Sequence, residues 1–308
     1  MFTTIFALGA TALELGLISS LTVLALFLSY SMLNVCDLST DGCFTLGAAV
    51  GAVVAIAGHP YLSLAAAICV GMVSGFVTAV LQTKMGIDSL LSGIIVNTGL
   101  YSVNIAIMGG ASLLNMNKTQ TVFTKAREVL AGTFLGPQYR LVVVIIVVAI
   151  ALALLTWFLK TRLGLAIRAT GNNPDMVKSS SINPTFTTIV GLCLSNSLTA
   201  LSGCLLAQSQ KSVNVTIGSG MVTIALASLL IGRAFMGKGG IGKRAIGAVL
   251  GAFVFRLVYT IALRFNLPAY MLKLVSSVIV IIAISGPYFK QRFPEWRRIR
   301  EAGGNRHA

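Results

Sequence analysis

Residues 141–159 read LVVVIIVVAIALALLTWFL, and the stretch that follows, 161–177, reads TRLGLAIRATGNNPDMV. An uncharged run of that length, at about 1.5 Å per helical residue, matches the hydrocarbon thickness of a bilayer, so the first stretch reads as a membrane-crossing helix. A second apolar run, TTIVGLCLSNSLTALSGCLLA, follows at 187–207. Between them lies a basic, turn-rich segment that again reads as a short helix. Thr170, Gly171, Asn172, Asn173 and Pro174 supply a turn and an N-cap, with the proline just inside the next helix. Asp175 to Ser181 then predicts about two helical turns lying along the membrane face. The segment joins two spans on one side of the membrane and has a structure of its own.

Working outward, apolar segments recur at 9–33, 43–57, 61–82, 88–110, 139–160, 185–208, 222–236, 244–264 and 268–287. They predict an all-α polytopic membrane protein with about nine transmembrane helices. The chain of 308 residues is 56% hydrophobic and only 10% charged, with a mean hydropathy of +0.89. A soluble domain has no use for so much apolar surface. The first segment reads as a retained helix, because no cleavage-like motif followed by a soluble domain accompanies it. Two segments, 43–57 and 222–236, are short for a full span, as are the broken helices that line protein cavities in transporters. GxxxG spacings at Gly47/Gly51, Gly71/Gly75 and Gly247/Gly251 predict closely packed helix pairs.

The net charge of +15 does not indicate nucleic acid, because Lys and Arg gather in short loops and in the tail KQRFPEWRRIREAGGNRHA. With nine spans and a cytoplasmic tail, the inner loops carry fourteen basic residues and the outer loops six. That bias places the N-terminus outside and the C-terminus inside. The sizeable outer loop is 111–138. Five cysteines, mostly within apolar segments and without metal-ligand spacing, read as small buried hydrophobes.

The loop GKGGIGKR, 237–244, mimics both a dinucleotide fingerprint and a P-loop. Arg244 stands where the magnesium-binding hydroxyl belongs, and the flanks are membrane helices instead of a strand and a soluble unit. Two distant histidines, four aspartates and four glutamates form no catalytic set and no metal cluster. No nucleotide or other cofactor site is expected on this chain.

Ionisable side chains inside spans need a reason. Glu14, Arg233, Arg256 and Lys273 are such residues. Lys273 is expected to snorkel outward and Arg233 to reach the inner interface. Arg256 is expected to pair with Glu14 or with helix-end carbonyls. Asn97, Tyr101 and Asn104 share a helix face by their spacing of four and three, and Asn196 lies in another span between two serines. Helix packing is the default reading of such polar groups, and lining a solute pathway is the alternative. In NVCDLSTDGCFTLG, Asp37 and Asp41 have no basic neighbour, which predicts that this inner-side break folds back into the protein.

Five stretches carry a resemblance: CDLSTDGCFTLGAAVGA, LLSGIIVNTGLYSVNIAIMGG, LGLAIRATGNNPDMVKSSSIN, GLCLSNSLTALSGCLLAQSQ and LPAYMLKLVSSVIVIIAI. In this order they resemble the permease subunits of bacterial ABC importers related to the branched-chain amino-acid and ribose permeases, and most of all the tryptophan/tyrosine branch. The resemblance covers about residues 9–287. It implies a transmembrane permease domain over 1–290 and a basic cytoplasmic tail over 291–308, in the bacterial plasma membrane. It further implies that IRATGNNP leads into a coupling helix, about 167–182, that docks on a separate ABC ATPase subunit using ATP and Mg. Arg168, Ala169, Thr170, Gly171, Asn172, Pro174 and Asp175 would make that contact. Also implied are a second permease copy, with a homodimer favoured, an external solute-binding protein or lipoprotein, and a small polar solute of amino-acid type. Asn97, Tyr101, Asn104, Asn196, Asp41 and Glu14 are the candidate pathway residues. Two departures stand out: Ser181 replaces the glycine expected before Ile182, implying a stiffer turn, and Arg233 replaces a common acidic residue. An ion- or proton-driven secondary transporter is the rival reading, and a channel finds no filter-like repeat here.

Overall fold

The computed structural model describes residues 2–130, 138–236 and 239–263, and beyond them only 274, 277–281 and 285. Helix α1 (Phe2–Leu26) continues into a π-helical turn (Phe27–Met32), and α2 (Thr40–Ile56), α3 (Pro60–Thr83) and α4 (Ser89–Ile107) follow. Strand β1 (Leu113–Asn115), α5 (Val122–Leu130), α6 (Tyr139–Phe158), α7 (Arg162–Asn172) and α8 (Pro174–Ser179) lead to α9 (Pro184–Gln210). Strand β2 (Ser212–Asn214), α10 (Met221–Met236) and α11 (Ile241–Leu263) complete the described chain. Among the described residues, six helices are long and apolar enough to cross a membrane, and α2 and α10 are apolar but shorter. These eight coincide with the first eight predicted segments. The ninth, 268–287, lies almost wholly outside the described residues, as do Lys273 and the tail.

Helix α9 is the axis of the molecule. Its most apolar window is 78% buried, whereas that of α6, the most apolar helix, is 22% buried. Composition explains the contrast. A helix facing lipid needs continuous apolar side chains, while one facing other helices gains from small and hydroxyl residues that admit close approach and interhelical hydrogen bonds. On α9, Ser195 Oγ donates to Ala25 O of α1 (2.8 Å) and Ser202 Oγ to Ile18 O (2.7 Å). Gly47 and Gly51 of α2 pack on Ala200 and Cys204, so α2 and α9 run parallel. Gly71 and Gly75 of α3 pack on Ala200 and Leu192, so α3 runs antiparallel to α9. A Cβ at Gly47 would collide with the backbone carbonyl of Ala200. The third GxxxG pair, Gly247/Gly251, seats α11 against Gly232 and Ser228 of α10.

The parallel pairing with α9 fixes the depth of α2. Its first turn lies beside Asn196, about midway along α9, since Cys43 Sγ approaches Asn196 O at 3.3 Å. Helix α2 therefore starts inside the bundle and leaves toward the end of α9 that carries the β strands. The chain reaches that start through a non-helical segment, 33–39, with Asn34 in the left-handed region at φ 57°. Such backbone is tolerated at this depth only where protein satisfies it. The predicted fold-back of this break is what the structure contains.

At the far end, β1 pairs antiparallel with β2, with Leu114 opposite Val213, tying the exit of α4 to that of α9. Gln208 of α9 accepts from Val122 N (2.9 Å) and donates to Ser63 Oγ (2.6 Å), anchoring α5 over the bundle. Of the cysteines, Cys43 and Cys204 are buried, Cys36 and Cys193 are half-buried, and Cys69 is exposed.

Candidate functional site

The polar residues singled out in the sequence separate into a buried hub, a surface segment and two outliers. The hub surrounds the first turn of α2. Asp37 is 1% exposed, and its Oδ1 accepts from Ser39 N (2.8 Å) and Ser39 Oγ (2.6 Å). Its Oδ2 accepts from Asn196 Nδ2 of α9 at 2.8 Å. Thr78 of α3 reaches Ser39 Oγ at 3.3 Å. Asn104 of α4, also buried, donates to Gly42 O at 3.2 Å. Asn97 is half-buried against the same glycine, where a Cβ would fall 2.7 Å from its Oδ1.

Asp41, one turn further, bridges the two short helices. Its carboxylate accepts from Gly220 N (2.8 Å) and Val222 N (2.9 Å), the free amides at the start of α10. A carboxylate there satisfies orphan donors and complements the positive end of the helix dipole. Gly218 N donates to Thr45 Oγ1 at 3.2 Å, so the chain entering α10 lies directly on α2. The starts of both short helices thus meet on one acidic side chain.

Two buried atoms at this hub, Asn104 Oδ1 and Asn196 Oδ1, have no hydrogen-bond partner, and Ser74 Oγ on α3 faces the Cys43 thiol with no other partner. No group of three His, Cys, Asp or Glu side chains gathers among the described residues. The hub is a cluster of carboxylate, amide and hydroxyl groups with the Cys43 thiol among them, and its oxygens are able to hold donors or a hard cation. Asp37, Ser74 and Thr78 belong to it but were not among the sequence candidates. Asp37 was visible as an acid without a basic neighbour, while the two hydroxyls of α3 gave no signal.

Tyr101 and Glu14 lie elsewhere. Tyr101 shares the Asn97–Asn104 face only at its rim, about 60° round from Asn104, and is 52% exposed. Glu14 accepts from Ser209 Oγ at 2.6 Å and stands 3.9 Å from Arg140, linking α1, α9 and α6. Arg256 pairs with neither Glu14 nor a helix-end carbonyl. Its Nε and Nη2 donate to Ser19 Oγ at 3.1 and 2.9 Å, because α11 packs on α1 at Ser19, more than a turn beyond Glu14.

The surface segment comprises α7 and α8. Thr161 caps α7 by accepting from Gly164 N at 3.3 Å. Ile167 and Thr170 are buried, and Thr170 shares a 2.8 Å hydrogen bond with Thr187 of α9. The expected turn over Thr170, Gly171 and Asn172 is instead the last turn of α7, because these tertiary contacts hold it helical. Gly171 is not needed for a left-handed backbone. Its missing side chain lets α7 lie on Met32 and Leu33 at the end of the π-helical turn, where a Cβ would strike the Met32 carbonyl. The break is Asn173 alone, whose Oδ1 accepts from Asp175 N and Met176 N, both at 3.1 Å, with Pro174 opening α8.

Ala169, Asn172, Pro174 and Asp175 are exposed, and Met176 is 67% exposed, so α8 presents a free face. Ser181 ends the segment at φ 59°, a conformation better suited to glycine. Arg168 is half-buried and, with Arg233 at the end of α10, acts electrostatically on Arg244. Arg244 itself donates to Ser31 Oγ at 2.9 Å and lies over the Phe27 ring. The P-loop-like stretch runs from the end of α10 into the first turn of α11, which holds Ile241 to Arg244, with Gly237 and Lys238 outside the described residues. Among the described residues the stretch follows helix α10 and not a strand, unlike a P-loop.

The comparisons agree with this architecture. A family described as "Branched-chain amino acid transport system / permease component" matches residues 10–284. The chain is 33% identical to a tyrosine transport system permease protein of Clostridioides difficile, over 86% of each chain. It is 28% identical to a probable branched-chain amino acid transport permease protein, LivH, of Methanocaldococcus jannaschii, over 92% of this chain and 81% of the other. It is 24% identical to the ribose import permease protein RbsC of Escherichia coli K12, over 80% of this chain and 75% of the other. No solved structure matches the chain significantly. With nearly its whole length matched and eight apolar helices in place, the chain belongs to the family of branched-chain amino acid transport system permease components, the membrane-spanning part of ABC-type transporters.

Proposed function

We propose that the chain is the permease of an ATP-driven importer, working as a dimer with two ATPase subunits and an external solute-binding protein or lipoprotein. The observation that carries this reading is the α7–α8 segment: a capped, exposed helix pair rigidly seated on α1 and α9. A chain without a nucleotide site of its own needs such a handle. Movement of α8 is relayed through Gly171 to Met32 and Leu33, the entrance to the hub segment. ATP and Mg are bound by the partner ATPase, α8 and the C-terminal tail face the cytoplasm, and the β1–β2 face receives the binding protein.

The solute is an amino acid, and tyrosine is the first to try, supported by the 33% identity to a tyrosine transport permease. The hub of Asp41, Asn97, Asn104 and Asn196 supports the route as its polar lining or scaffold.

Copurification tests the coupling. Wild-type protein retains its ATPase through affinity purification, and Arg168→Ala and Gly171→Val lose it while staying folded and membrane-inserted. Full ATPase recovery with normal tyrosine uptake in both variants overturns the assignment. Cysteines placed at Asn117 and Gly303 in a cysteine-free background should label from opposite sides of the membrane. Labelling of both from outside reverses the orientation. The rival, an ion- or proton-driven carrier, would keep transporting when ATP is exhausted and the ion gradient is maintained.

A further inference from the structure

The buried oxygens around Asp37 present an unsolved electrostatic problem. Asp37 is 1% exposed, and among the described residues no Lys, Arg or His stands within ion-pair distance. Its three donors come from Ser39 N, Ser39 Oγ and Asn196 Nδ2. These relieve the buried charge but do not cancel it, and an unpaired buried charge is costly. Asn196 is itself fully buried, and its Oδ1 accepts from nothing. Because its Nδ2 lies 2.8 Å from Asp37 Oδ2, the orphan oxygen sits on the same amide, beside the carboxylate. The α3 side adds Ser74 Oγ, 4% exposed, beside the Cys43 thiol and with no other hydrogen-bond partner, one turn before Thr78, which reaches Ser39 Oγ.

We propose that Asp37, Asn196 and Ser74 contribute ligands to one buried alkali-metal cation, Na⁺ or K⁺, where the re-entrant segment meets α3 and α9. A cation meets both needs at once: it neutralises the carboxylate and supplies a partner to the amide and hydroxyl oxygens. A proton on Asp37 would remove the charge, yet one end of the Asn196 amide stays unmet whichever way the amide is turned. A buried water could donate to Asn196 Oδ1 and would leave the charge uncompensated. The ligands are all oxygens, which selects hard cations. One carboxylate balances a single positive charge, whereas Ca²⁺ is usually held by several anionic ligands. The ion pins a non-helical segment within the bundle, and this role does not depend on which solute is carried or on what drives transport.

Thermal unfolding of the purified full-length protein in detergent tests this, in choline, sodium and potassium chloride at constant total chloride. The expected result is a saturable rise of Tm with Na⁺ or K⁺ over choline, as for any ligand that binds only the folded state. Ser74→Ala should unfold at nearly the wild-type temperature in choline and need a several-fold higher ion concentration for its half-maximal shift. Asp37→Asn should lose the saturable shift altogether. Asn104→Ala, outside the trio, should be less stable yet keep the wild-type ion midpoint, which separates ion binding from general loosening of the hub. Equal Tm in all three salts overturns the proposal. So does an unchanged midpoint in Ser74→Ala, whether or not Asp37→Asn folds. A stability change that follows pH but not the cation assigns the site to a proton instead.

Discussion

The hub around α2 and the α7–α8 segment are two polar regions of a largely apolar molecule, and they are built in opposite ways. The α7–α8 segment is local: its caps Thr161 and Asn173 each accept from amides within three residues. The hub draws on five stretches far apart in sequence, with Asp37 bonded to Asn196 and Asp41 to Gly220 and Val222. One region is exposed and serves by shape. The other is buried, so each polar atom there has a large effect on stability. Damage to the hub should therefore unfold the bundle, while damage to the surface segment should uncouple it and leave it standing.

The largest effect is expected beneath the hub. Gly47→Val drives a branched side chain into the Ala200 carbonyl and should cost ~3 kcal/mol or prevent folding. Gly99→Ala on α4, with open space around it, should be neutral or slightly stabilising in the same unfolding assay. Equal behaviour of the two variants would remove the α2–α9 contact as the basis of the hub.

Asp41→Ala comes next. It strips the acceptor from two backbone amides at the start of α10 and should cost about 2–3 kcal/mol by thermal unfolding, with uptake abolished. An unchanged Tm would mean that the two short helices hold together without it.

Asn173→Ala removes the α8 cap and should cost ~1 kcal/mol locally. Global Tm should barely move, while amide exchange at Asp175 and Met176 accelerates and ATPase retention falls. A drop in Tm as large as that of Asp41→Ala would erase the distinction between the regions. The smallest effect should be a gain: Ser181→Gly relieves a left-handed serine and should stabilise the segment by ~0.5–1 kcal/mol, seen as slower exchange at Ile182 N–H.

How far each region could be read from the sequence follows the same division. The spans were legible because lipid demands apolar length, and even the shortness of α2 and α10 was visible in the runs 43–57 and 222–236. The start of α8 was legible because Asn-Pro is a local cap signal. The end of α7 was not. Thr170 and Asn172 favour turns in isolation, yet Thr187 and Met32 hold that turn helical from outside the segment. Likewise, spacing placed Asn97, Tyr101 and Asn104 on one face, and only the neighbouring α2 determines that the two asparagines pack inward and the tyrosine stays at the rim.

What the sequence determined by itself was membrane residence, the positions of eight helices and the family. Each follows from composition or from patterns within a few turns of chain. The tertiary structure alone decided that Asp41 caps α10, that Asp37 is closed in between α3 and α9, that Arg256 rests on Ser19, and that Gly171 serves close packing. Those outcomes depend on which helix faces which, and at what depth. In a bundle whose helices all look alike to lipid, that choice is made by small-residue contacts and buried hydrogen bonds between residues well over a hundred positions apart.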